Sequence, residues 1–128
     1  MKIPKVLAID YGTVRVGIAV SAYTLADPLV TIPQDTQLFS KIVQLSKENE
    51  VDLILVGLSE NVMALRTKSF VEKLKEYTSI PIKFTDETLS SNTAHKKLQT
   101  SKKSKRSGDI DHYAAAEFLQ EWLDENFS

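Results

Sequence analysis

Leu7-Ala8-Ile9-Asp10-Tyr11-Gly12-Thr13-Val14-Arg15-Val16-Gly17-Ile18-Ala19-Val20-Ser21 decides the fold of this chain, because two apolar runs flank an acidic residue that heads a glycine-containing turn. Val6-Leu7-Ala8-Ile9 shows no polar alternation, the pattern of a strand buried on both faces, whereas Val16, Ile18 and Val20 alternate with smaller residues. The stretch predicts a central strand, a tight turn and a second strand, with the Asp10 carboxylate at the sheet edge. Gly12 suits a position with positive φ or close approach to a ligand, and Thr13 adds a hydroxyl beside it. A carboxylate at the C-terminal end of a buried strand is fixed in position yet open to a phosphate or a metal, which puts phosphate chemistry first. The bland alternative is a hairpin that happens to carry Asp and Gly in its turn.

Moving outward, Pro28-Leu29-Val30-Thr31-Ile32-Pro33 is a short extended piece whose prolines fit an edge strand, completing an antiparallel meander. Leu38, Ile42, Val43 and Leu45 predict a helix over Thr36 to Glu50, with Asp35 or Thr36 as its N-cap. A buried strand over Val51–Leu58, a helix over Leu65–Tyr77 and a strand over Ile80–Phe84 follow. Ser90–Gln99 reads as helix, Lys102–Gly108 interrupts it, and a last helix begins near Asp109 with Tyr113, Ala116, Phe118, Leu119 and Trp122 apolar. The expected fold is α/β, a mixed five-stranded sheet led by the meander and flanked by helices, with strand one between strand two and the Val51 strand.

A chain of 128 residues is read as one domain, 1–128, large enough for a single core and too small for two catalytic lobes. The absence of cysteine excludes disulfides, a thiol nucleophile and a thiolate-ligated metal, and two histidines argue against a His-rich site. Met1-Lys2-Ile3-Pro4-Lys5 leads directly into a strand, and no apolar run approaches the ~20 residues of a membrane span, so a cytoplasmic protein without membrane contact is expected. A formal net charge of −1 and a pI near 6.1 argue against coating nucleic acid through overall charge, so any such contact is local.

Carboxylates cluster at strand ends and at a helix start: Asp10 after the first strand, Asp86 and Glu87 after the Phe84 strand, Asp109 and Asp111 opening the last helix. Hard oxygen ligands of this kind favour Mg²⁺ or Mn²⁺, and two ions about 4 Å apart would serve the attacking and leaving oxygens of a phosphodiester. Each acid has an ordinary alternative, Asp109 as an N-cap, Asp86 as a turn residue and Asp111 as a solvated first-turn acid.

The Leu7–Ser21 block, Val56-Gly57-Leu58, Asp86-Glu87-Thr88-Leu89-Ser90-Ser91 and Ile110-Asp111-His112-Tyr113-Ala114-Ala115-Ala116 resemble, in order and at compatible spacing, the four blocks of the YqgF/RuvX family. That family is described as Holliday junction resolvases and as pre-16S rRNA nucleases. The resemblance implies a ribonuclease H-like fold, cytoplasmic residence and a metal-dependent nuclease with Mg²⁺ or Mn²⁺ that matures the 5′ end of the small-subunit rRNA precursor. It also implies that Asp10, Glu87 and Asp111 are catalytic metal ligands, with Glu60, Asp86 and Asp109 in reserve. The expected partner is RNA or branched DNA, with the small ribosomal subunit as a further partner, for a monomer or a homodimer.

Two departures bear on activity. The family's Gly-Leu-Pro and following glycine loop are here Gly57-Leu58-Ser59-Glu60-Asn61, and the arginine of its Asp-Glu-Arg block is Thr88; Arg15 or Arg66 are candidates to replace that cation. Lys102, Lys103, Lys105 and Arg106 crowd before Asp111 and, with Arg15, are the expected phosphate contacts, the alternative being a solvated charged loop. Two other function classes compete. Asp-x-Gly-Thr also resembles the phosphate loop of sugar-kinase and actin-like ATPases, which need a second lobe, and a catalytically weak nucleic-acid or ribosome binder would keep the same fold.

Overall fold

A computed structural model describes residues 3–58, 62–86 and 107–127, with the backbone path alone at 62, 86 and 107–112. The elements are β1 (Val6–Asp10), β2 (Arg15–Ala22), β3 (Leu25–Pro33), α1 (Leu38–Glu48), β4 (Leu53–Leu58), α2 (Val62–Leu74), β5 (Ile82–Asp86) and α3 (Ser107–Phe127). The five strands form one sheet in the order β3-β2-β1-β4-β5. β1 pairs antiparallel with β2 and β2 with β3, whereas β4 and β5 continue the sheet in parallel. The expected mixed sheet, with its leading meander and with β1 between β2 and β4, is what forms.

β1 is central because both its faces are apolar. Leu7 and Ile9 join Val16, Ile18, Ile54 and Val56 in a core closed by Leu38 and Ile42 of α1 and by Phe70, Val71 and Leu74 of α2. Val6 and Ala8 point the other way, with Ala19, Leu53 and Leu55, against Ala115, Phe118, Leu119 and Leu123 of α3. On that second face the small pair Ala8 and Ala19 leaves room for Phe118, the bulkiest of the fully buried side chains. The polar side chains inside are matched: Ser21 Oγ accepts from the Val6 amide at 2.8 Å, and the Ser46 and Thr67 hydroxyls donate to the carbonyls of Ile42 and Met63.

Element boundaries depart from expectation where local chemistry intervenes. β3 is the expected edge strand but reaches back to Leu25, and Pro28 is accommodated by a bulge: Ile18 pairs with Val30 and Ala19 with Pro28, leaving Leu29 over. α1 starts at Leu38 rather than Thr36, because the Asp35 carboxylate accepts from the Gln37 amide at 2.9 Å and holds a turn there; Gln37, not Asp35 or Thr36, is the N-cap. The helix ends in a Schellman pair, Glu50 N to Lys47 O and Val51 N to Ser46 O, with Glu50 at φ 52. α2 begins at Val62, earlier than Leu65, and ends at Leu74. α3 begins at Ser107, so Ser107 and Gly108 belong to the helix rather than to the preceding loop, and Asp109 lies inside the first turn rather than at the cap. Its buried stripe is Ala115, Phe118, Leu119 and Leu123, while Tyr113 faces outward. The helix expected over Ser90–Gln99 lies outside the described residues.

Candidate active-site edge

β1, β4 and β5 run parallel, so Asp10, Leu58 and Asp86 end at one edge of the sheet. Ile9 pairs with Val56, which brings Asp10 level with Gly57 on one side, and on the other side Asp10 pairs with Gly17. Strand alternation carries Asp10 with Val6 and Ala8 onto the face that α3 covers. Both cross-strand neighbours of this half-buried residue are therefore glycine.

The turn that follows is held from both ends. Gln34 Nε2 donates to Gly12 O at 2.7 Å, and the Gln34 amide donates to Val14 O at 3.0 Å. Gly12 has no positive φ; a Cβ there would overlap the Arg15 carbonyl oxygen, so the glycine is required by close approach of backbone to backbone. That corrects the expectation of a left-handed Gly12. The Tyr11 ring packs on Phe70 of α2 with centroids 4.7 Å apart, which ties the residue after Asp10 to the opposite layer.

Arg15 opens β2 two residues before Gly17, on the same face as Asp10, diagonally across the ladder at about 7–8 Å. A long side chain can bridge that distance. Arg66, the other candidate to replace the family cation, lies on the α2 side of the sheet with Tyr11. Of the two, Arg15 shares the Asp10 face.

α3 brings its first turns to this edge. Gln120 binds the β2–β3 turn, its Nε2 donating to Thr24 O at 2.8 Å and its Oε1 accepting from the Ala26 amide at 2.9 Å. Because β2 runs antiparallel to β1, that turn sits at the end of the sheet away from Asp10. The helix consequently runs toward the turn from the Asp10 end, where its backbone carries Asp109 in the first turn and Asp111 four residues before the buried Ala115. Asp86 ends β5 level with Leu58, one register step beyond Asp10. Glu87, Glu60, Lys102, Lys103, Lys105 and Arg106 lie outside the described residues. Among the described residues no three Asp, Glu or His side chains gather, Asp10 being the one candidate ligand whose side chain belongs to that set.

Neither flanking glycine nor the Gln34 clamp was foreseen from sequence. Gly17 and Gly57 carry the signal only once register puts them beside Asp10, and Gln34 follows Pro33 with no local pattern to mark it.

Comparison with known proteins agrees with this geometry. The profile of the family described as "RuvX: Holliday junction resolvase" matches residues 4–125. A protein of Sulfurihydrogenibium sp. (strain YO3AOP1) named "Putative pre-16S rRNA nuclease" is 37% identical over 130 residues, covering 94% of this chain and 90% of its own length. One of the same name from Lawsonia intracellularis is 35% identical over 136 residues, covering 97% and 96%. Among solved structures, T. thermophilus RuvC in complex with a Holliday junction substrate superposes with a TM-score of 0.64 at 12% identity, over 95% of this chain and 94% of that one. At that identity the likeness establishes the fold, which is ribonuclease H-like. With the profile spanning the sheet and α3 together, and relatives matched across nearly their full lengths, this chain belongs to the RuvX family of nucleases.

Proposed function

We propose that this chain is a metal-dependent nuclease that hydrolyses phosphodiester bonds of structured RNA in the 5′-end maturation of pre-16S rRNA. The observation that carries the reading is the Asp10 carboxylate at the parallel-strand edge, with glycine on both sides and the first turns of α3 at the same end of the sheet. The relatives named as pre-16S rRNA nucleases support the substrate.

An all-carboxylate donor set of Asp10, Glu87 and Asp111 suits Mg²⁺ or Mn²⁺, ions that keep several of their waters. When bound, such ions activate water and neutralise the leaving oxyanion. Asp10 supplies a rigid ligand because β1 is buried on both faces, and Arg15 supplies a cation on the same face for a substrate phosphate. Lys102, Lys103, Lys105 and Arg106 add backbone affinity that falls with salt. Glu60, Asp86 and Asp109 are the reserve ligands. No helix among the described residues is long and apolar enough to cross a membrane.

A branched-DNA nuclease is the second reading, favoured by the likeness to RuvC bound to a Holliday junction. The test is cleavage of a small-subunit rRNA precursor fragment and of a four-way DNA junction with Mg²⁺ or Mn²⁺, comparing the intact protein with Asp10→Asn. Cutting of the RNA by the intact protein alone upholds the reading. Cutting of the junction alone transfers the activity to DNA, and no cutting of either makes the chain a binder.

A further inference from the structure

On the side of the sheet away from Asp10, α1 and α2 leave a cleft of about 540 Å³ beneath Tyr11, adjoined by a second of about 440 Å³; the two share Gln34, Phe39 and Lys73. Four aromatic rings run along this cleft. Tyr11 meets Phe70 at 4.7 Å, Phe70 meets Phe39 at 5.5 Å, and Phe39 meets Tyr77 at 4.8 Å with ring planes 9° apart. Phe70 is buried, whereas Tyr77 at the outer end is 51% exposed. Helical spacing puts Arg66, Ser69, Phe70 and Lys73 on one stripe of α2, with Tyr77 just beyond the helix.

Core packing explains Phe70 and part of Phe39. It does not call for two cations along an open aromatic cleft. Among the described residues neither Arg66 nor Lys73 forms an ion pair, and Asp35, the acid at the far end, already engages the Gln37 amide and Lys41. Cations beside an aromatic row that ends in the exposed Tyr77 ring are complementary to an unpaired polynucleotide, whose phosphates need charge and whose bases need a stacking surface. A duplex hides its base faces and cannot use the rings. The cleft also begins at Tyr11, the residue after Asp10, so a strand lying in it leads over the sheet edge to the candidate catalytic carboxylate.

We propose that the α1–α2 cleft binds a single-stranded RNA segment that flanks the scissile phosphate, with a base stacked on Tyr77 at the outer end of the aromatic row and phosphates held by Arg66 and Lys73. The choice of RNA over DNA and the nearby scissile phosphate rest on the nuclease reading, whereas the binding of an unpaired strand rests on the rings and cations alone. The proposal makes the substrate an RNA whose cleavage site adjoins an unpaired stretch.

The test is fluorescence anisotropy in EDTA with a fluorescein-labelled oligoadenylate, a matched RNA duplex and a matched oligodeoxyadenylate. Tyr77→Ala is expected to weaken oligoadenylate binding about tenfold, with Tyr77→Phe close to the intact protein. Arg66→Glu with Lys73→Glu is expected to weaken it further and to flatten its salt dependence, because two phosphate contacts are lost. Duplex binding is expected to stay unchanged in the two Tyr77 variants and to fall less than oligoadenylate binding in the charge reversal, and Tyr23→Ala, at the distant β2–β3 turn, is the exposed-tyrosine control. Unchanged oligoadenylate affinity in the first and third variants, an equal loss for the duplex, or tighter binding of the deoxy probe by the intact protein overturns the proposal. Cleavage assays on the same proteins separate the two readings. Cleft-dependent binding without cleavage by the intact protein keeps the cleft and removes the nuclease, whereas cleavage with no effect of these variants does the reverse.

Discussion

Gly17 stands directly opposite Asp10 in the β1–β2 ladder, so the carboxylate faces bare backbone where a sheet would ordinarily set a second side chain. Gly17→Val puts a branched side chain into that buried place. We expect loss of most cleavage, because the new side chain occupies the place beside the carboxylate, with a change in stability of about 1–3 kcal/mol at most. Thermal unfolding and a single-turnover cleavage assay check the two effects. Full cleavage by a destabilised variant would show that the space beside Asp10 is not used.

Gly12→Ala forces a Cβ against the Arg15 carbonyl oxygen, and the turn must move. Because Gln34 ties that turn to the end of β3, the shift is transmitted to Asp10, and a fall in turnover larger than the fall in substrate affinity is expected. Steady-state kinetics with kcat and KM resolved would read it.

Gln120→Ala removes both hydrogen bonds that pin α3 to the β2–β3 turn, where Tyr23 is held at φ 58. The Ala26 amide and Thr24 carbonyl lose a partner in a half-buried place, a cost of about 1–3 kcal/mol. A lower urea midpoint with an unchanged m value is the expected signature.

Glu50 occupies the left-handed position that closes the Schellman turn after α1, where glycine carries no Cβ penalty. Glu50→Gly is expected to stabilise the protein by about 1 kcal/mol, far from the candidate site, and to leave cleavage unchanged. Urea unfolding measures the gain, and an equal or lower midpoint refutes it.

Chelation tests the carboxylate site without any mutation. EDTA is expected to abolish cleavage and excess Mg²⁺ or Mn²⁺ to restore it, since acids alone hold the reaction centre in this reading. Cleavage that persists in EDTA rules the metal out.

Much of this was legible from local pattern. The double-sided burial of β1 follows from Val6-Leu7-Ala8-Ile9 having no polar member, and the edge position of β3 from its prolines. Helix ends were less legible: the Asp35 carboxylate delays α1 to Leu38 through a single bond, and α3 takes in Ser107 and Gly108 despite their loop-like composition. At the candidate site, Asp10 was readable as the acid that ends a buried strand. The roles of Gly17, Gly57 and Gln34 were not, since each depends on a partner from another strand or turn.

The sequence by itself determined the order of strands and helices, the mixed sheet, the family and the first acid, because hydrophobic period and residue chemistry are local properties of the chain. Tertiary structure alone decided that Asp10 has glycine on both sides, that Arg15 shares its face while Arg66 does not, and that Tyr11, Phe70, Phe39 and Tyr77 line up beside two cations. Those relationships depend on register and on which helix covers which face. Both are set by packing between segments tens of residues apart, which no local periodicity records.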